Sequence, residues 1–122
     1  MRILLVDTSI PLLNRLSRAL KRQGCQAEIA VASTASDAYE ELASSPFDVV
    51  VFDLFLPDDP GMKFIQILSK DYPMSTPLIY SSDLNPDVEK ICRSMGGAFF
   101  FRKPDDHEKL IQKILNLENR IS

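Results

Sequence analysis

Residues able to do chemistry stand in this sequence directly after runs of apolar ones. Asp7 and Thr8 follow ILLV, Asp53 follows VVVF, Ser81, Ser82 and Asp83 follow PLIY, and Lys103 and Pro104 follow FFFR. Asp53 is followed by Pro57 four residues on and by Gly61 eight on. A carboxylate can act as a nucleophile, an ammonium can neutralise an anionic group, and a hydroxyl can donate a hydrogen bond to it. Each residue alone has a plainer use: Asp53 caps a loop, and Lys103 pairs with it as a salt bridge. What gives them weight is their shared position at the ends of separate apolar runs.

Those runs alternate with segments of helical period. Residues 2–6 and 47–53 are short continuous apolar stretches suited to buried parallel strands. Residues 26–32 alternate with period two, 76–81 form a fourth strand, and 96–101 give a turn and a fifth. Between them, Leu12, Leu13, Leu16, Ala19 and Leu20 recur at helical spacing, with Gly24 as the stop. Ala35, Ala38, Tyr39 and Leu42 mark a second helix behind the candidate caps Ser33 and Thr34. Gly61 opens a third with Met62, Ile65 and Leu68 on its inner face. Pro86 sits at a first helical position ahead of Val88, Ile91, Cys92 and Met95. Pro104, Asp105 and Asp106 open a fifth, which carries Leu110, Ile111, Ile114 and Leu117.

Five βα units with short loops predict an α/β fold, a doubly wound five-stranded parallel sheet with five helices, flavodoxin-like, in the order 2-1-3-4-5. Sites in such sheets form beyond the carboxyl ends of the strands. The order brings strands 1, 3, 4 and 5 together, so two carboxylates, hydroxyls and an ammonium converge. The 122 residues read as one domain, 1–122, without repeat, linker or low-complexity stretch.

Bulk properties narrow the function. With 14 basic and 17 acidic residues the net charge is -3, and no basic run marks a nucleic-acid footprint. No apolar stretch is long enough to span a membrane. The opening MRILLVD meets Asp7 too early for a signal peptide, so the expected location is cytoplasmic. Cys25 and Cys92 lack metal-type spacing and read as reduced thiols, buried or partly buried.

Four motifs in this order resemble the receiver domains of two-component response regulators, over the whole chain. ILLVDT is similar to the first strand with its acidic pocket. VVVFDLFLPDDPG is similar to the phosphoacceptor strand and loop. PLIYSSD is similar to the strand ending in a hydroxyl, which falls on Ser82 by its distance from Pro77. GGAFFFRKP is similar to the last strand with its Lys-Pro pair. The resemblance implies that Asp53 takes a phosphoryl group from a histidine kinase, a phosphotransfer protein or a small phosphodonor. Lys103 then neutralises one phosphoryl oxygen and Ser82 donates to another, since phosphoryl transfer needs charge neutralisation more than covalent help. It also implies Mg²⁺, held by Asp7, Asp53 and the main-chain carbonyl of Phe55. The switch pair is Ser82 with Phe100, and the face of helix 4, strand 5 and helix 5 is implied for homodimerisation or for docking an effector. Such a chain is a signalling receiver and not an enzyme, beyond taking up and losing its own phosphoryl group.

One position departs from the family pattern. Thr8 falls on the second of two adjacent acids, the one that normally touches the metal directly. A hydroxyl is a poorer ligand for a hard cation than a carboxylate, so Mg²⁺ is expected to bind weakly. The alternative is a pseudo-receiver that works as a phosphorylation-independent interaction module. Phe55 and Leu84, two residues after Asp53 and Ser82, are bulky and apolar where the attacking water passes, which implies slow loss of the phosphoryl group; plain loop packing is the competing account. His107, Asp58 and Asp59 read as solvated charges, and Asp83 as a cap for the loop into helix 4.

Two enzyme-like or cofactor readings fare worse. A haloacid dehalogenase-type phosphatase needs a second Asp where Phe55 stands, and phenylalanine moves no proton. A nucleotide or flavin module lacks its glycine-rich loop, since the chain has only four glycines.

Overall fold

The computed structural model describes residues 1–59, 62–97 and 99–121. The elements run β1 (Arg2–Val6), α1 (Ile10–Arg22), β2 (Glu28–Ala32), α2 (Ala35–Ser44), β3 (Val49–Phe52), α3 (Met62–Asp71), β4 (Thr76–Ser81), α4 (Pro86–Ser94), β5 (Phe99–Arg102) and α5 (His107–Ile121). The five strands form one parallel sheet in the order β2-β1-β3-β4-β5, the doubly wound flavodoxin-like arrangement that the sequence predicts. Gly61 and the side chain of Met62, expected at the start of the third helix, lie outside the described residues.

Strand alternation divides the core into two layers. Leu4, Val50, Phe52 and Ile79 face Ala38, Leu42, Phe64, Leu68 and Cys92 of α2, α3 and α4. Ile3, Leu5, Val49, Val51, Leu78 and Tyr80 face Leu12, Leu16 and Leu20 of α1 and Leu110, Ile111 and Ile114 of α5. A sheet covered on both faces explains why its central strands are apolar throughout and end where the cover ends.

Helix ends follow local chemistry. Ser9, Thr34 and Asn85 cap α1, α2 and α4 through side-chain oxygens that accept from Leu12 N, Asp37 N and Val88 N. The cap of α4 is therefore Asn85, and Asp83 is simply exposed. Gly24 closes α1 at φ +87°, with Cys25 N–H donating back to Leu20 O. α5 starts at His107, later than Pro104, because residues 103–106 form a turn in which Asp106 accepts from Arg102 N. No helix among the described residues is long and apolar enough to cross a membrane.

Candidate functional site

The strand ends deliver their polar residues to one pocket. The ladder continues one residue past each strand, through Asp7 N–H to Ala32 O, Asp53 N–H to Val6 O and Lys103 N–H to Ser81 O. This fixes the backbone beneath each functional side chain. Asp7 and Asp53 are both buried, at 4% and 8% exposure. The Lys103 ammonium bridges them, 2.5 Å from Asp7 Oδ2 and 2.6 Å from Asp53 Oδ2. Asp53 Oδ1 accepts from Ser81 Oγ at 2.8 Å and from Phe55 N–H at 3.0 Å, and Asp7 Oδ1 accepts from Ser9 N–H at 2.9 Å. Burial alone pulls the Lys103 pKa down. Its hydrogen bonds to Asp53 and Asp7 and their charges outweigh that, and the net result is raised. The Lys103–Pro104 peptide is cis.

Asp7, Asp53, Phe55 and Lys103 are thus brought together. Ser82 is not: the hydroxyl on Asp53 is that of Ser81, the last residue of β4, and Ser82 is exposed beyond it. Two neighbouring serines cannot be told apart by residue type, and counting from Pro77 selects the second. The sheet register selects the first, since Ser81 pairs with Arg102 beside Lys103. Ser81 also stands two residues beyond Ile79, on the side of the sheet that holds Phe100. Phe100 is half-buried there, under the Arg93 guanidinium at 4.7 Å from its ring centroid. Thr8 is exposed.

Three other expectations change. Leu84 is buried in the core against α4 and is not at the pocket mouth; the residue two after Ser81 is the exposed Asp83. Phe55, by contrast, is 53% exposed. Asp58 and Asp59 are not idle loop charges. Asp58 accepts from Ala35 N–H at 2.8 Å and Ser36 N–H at 2.9 Å, and these bonds hold its carboxyl below the usual range. Asp59 is buried and accepts from Tyr39 Oη at 2.7 Å, while burial first and Asp59 second push the Tyr39 phenol up. The loop after Asp53 is thereby fastened to the first turns of α2. Neither acid belongs to a recognisable local pattern in the sequence. The only hint is that α2 begins with orphan N–H groups that attract an anion. His107 is half-buried at the start of α5.

The donor set can be tested against Mg²⁺. Asp7, Asp53 and the Phe55 carbonyl are hard oxygen donors, and one or two carboxylates with several retained waters is the usual Mg²⁺ arrangement. The residues fit on these terms, although among those described no three His, Cys, Asp or Glu side chains come together.

A family model for the response regulator receiver domain matches residues 3–115. A putative NtrX-like response regulator of Rickettsia bellii is 26% identical over 111 residues, which is 89% of this chain and 23% of that protein, so the chain spans about a quarter of that relative's length. A CheY-like receiver domain protein of Methanospirillum hungatei superposes with a TM-score of 0.86 at 23% identity, covering 98% of this chain and 94% of the other. The beryllofluoride-activated receiver domain dimer of NtrC4 gives 0.85 at 25% identity, with 99% and 98% covered. The family match spans most of the chain and the sheet has the doubly wound order described above, and the protein belongs to the response regulator receiver domains of two-component signalling.

Proposed function

We propose that this domain is a working phosphoacceptor, with Asp53 taking a phosphoryl group from a histidine kinase or phosphotransfer protein. Receiver domains are signalling modules and not enzymes in the ordinary sense, and those of this family generally use Mg²⁺. The observation that carries the reading is the environment of Asp53: a buried carboxylate at a strand end, held by an ammonium, a hydroxyl and an amide N–H. An Asp53 oxygen attacks phosphorus, and the donor's P–N bond breaks with its electron pair going to the imidazole. Lys103 swings from carboxylate to phosphoryl oxygen, and Ser81 Oγ turns its hydrogen to another. Asp7, Asp53 and the Phe55 carbonyl would hold Mg²⁺, which would supply further charge neutralisation. Movement of Ser81 vacates space toward Phe100, and the α4–β5–α5 face, which exposes Ile91, is the surface whose dimer or effector contacts then change.

The test is intact mass after incubation with acetyl phosphate and Mg²⁺, beside Asp53→Asn. One phosphoryl mass that vanishes in the variant supports the reading, and no adduct overturns it. One observation favours a second reading. With Thr8 in place of an acid, a single Lys103 satisfies both remaining carboxylates. A pseudo-receiver that acts by protein contact alone would keep that arrangement, and absence of both an adduct and any response to beryllofluoride would select it.

A further inference from the structure

A cavity of about 310 Å³ adjoins the phosphoacceptor pocket, lined among others by Leu12, Arg15, Tyr80, Ser82, Lys103 and Pro104. A smaller one of about 100 Å³ continues it past Arg15, Tyr80 and Pro104 to His107. Three of the side-chain donors around it are unspent. Among the described residues Arg15 makes no ion pair or hydrogen bond, and neither the Ser82 hydroxyl nor the Tyr80 hydroxyl has a hydrogen-bond partner. Tyr80 is otherwise 2% exposed. Both acids of the neighbouring pocket are taken up by Lys103, so the cavity itself presents a guanidinium and three hydroxyls, those of Ser9, Tyr80 and Ser82, beside the paired Lys103 ammonium and with no carboxylate among its lining residues. Leu12 and Pro104 supply an apolar wall. A small organic anion with a short carbon body matches this lining.

We propose that the cavity receives the leaving group of acyl phosphate donors, with Arg15, Tyr80 and Ser82 stabilising the departing carboxylate. The proposal rests on Asp53 being the phosphoacceptor. An Asp53 oxygen forms the new P–O bond, and the bond between phosphorus and the acyl oxygen breaks. The electron pair stays on that oxygen, which leaves as part of a carboxylate and needs no proton. Charge thus develops next to the cavity in the transition state, where fixed donors have the greatest effect. A phosphoramidate loses neutral ammonia instead and has no such charge to stabilise.

The experiment compares the rates of Asp53 phosphorylation by acetyl phosphate and by phosphoramidate, both with Mg²⁺, in the wild type, Arg15→Ala, Arg15→Lys and Tyr80→Phe. Arg15→Ala should lower the acetyl phosphate rate by about tenfold, as expected for one charged hydrogen bond. Arg15→Lys should restore most of it, and Tyr80→Phe should show a smaller fall. The phosphoramidate rate should stay within about twofold throughout, which separates a lost subsite from a damaged fold. Equal loss with both donors, or no loss with either, overturns the subsite and leaves the phosphoacceptor reading intact. Wild-type protein phosphorylated by neither donor overturns both.

Discussion

Removal of the Lys103 ammonium is the sharpest perturbation of the pocket. In Lys103→Met the side-chain volume is nearly kept while two buried carboxylates lose their shared cation. At 2.5 and 2.6 Å each pair is worth roughly 6 kcal/mol at an effective dielectric of about 20. Desolvation of three charged groups opposes this, and breaking a buried pair by removing one partner costs about 3–5 kcal/mol net. The variant should therefore lose about 3 kcal/mol, or about 12 °C in Tm for a chain of this size. Mg²⁺ should act as a replacement cation, so added Mg²⁺ should recover part of the loss and stabilise the variant more than the wild type; at a hundred times Kd the gain is about 2.7 kcal/mol. Because the folded Lys103 pKa is raised, its contribution is fully present below the unfolded value near 10.4 and disappears only as pH rises through the higher folded value. The difference between wild type and variant should stay flat from pH 7 to about 10 and shrink above that. Urea melts with and without Mg²⁺ at several pH values measure all of this. A variant within about 0.5 kcal/mol of the wild type at pH 7 would refute the view that the bridge is what makes two buried acids tolerable.

Other perturbations are equally direct. Thr8→Asp returns a third carboxylate to the pocket and should tighten Mg²⁺ binding by about tenfold or more in a calorimetric titration; an unchanged Kd would mean that residue 8 does not face the metal. Tyr39→Phe removes the 2.7 Å donor to buried Asp59 and should cost about 1–2 kcal/mol in denaturant melts. Asp58→Ala should raise hydrogen exchange at the Ala35 and Ser36 amides, which it holds, more than at the end of α2. Gly96→Ala should cost about 2 kcal/mol, since φ is +106° and a Cβ would stand 2.8 Å from Ser69 Cβ; Gly24→Ala, at φ +87° in open space, should cost only about 1 kcal/mol.

Much of this protein was legible in one dimension. The alternation of apolar runs with helical periods determined five βα units, because a parallel strand covered on both faces must be apolar and a covering helix must be apolar on one face only. Chain handedness then leaves few sheet orders, and the position of Asp7, Asp53 and Lys103 directly after apolar runs puts them at the same edge. Tertiary structure decided what depends on register and on neighbours distant in sequence. Ser81 and Ser82 are alike as residues, and only the end of β4 beside Arg102 turns Ser81 onto Asp53. Leu84 looks like a loop residue until α4 closes over it. Asp58 and Asp59 read as solvated charges because their partners, two amides and a phenol on α2, lie about twenty residues back along the chain. The same holds for the cavity beside Lys103: Arg15, Tyr80 and Pro104 share no local pattern, and only the packing of α1 against the ends of β4 and β5 makes them one surface. Periodicity is a property of a segment and survives in the sequence; a hydrogen bond between segments is a property of their distance, which only the folded chain sets.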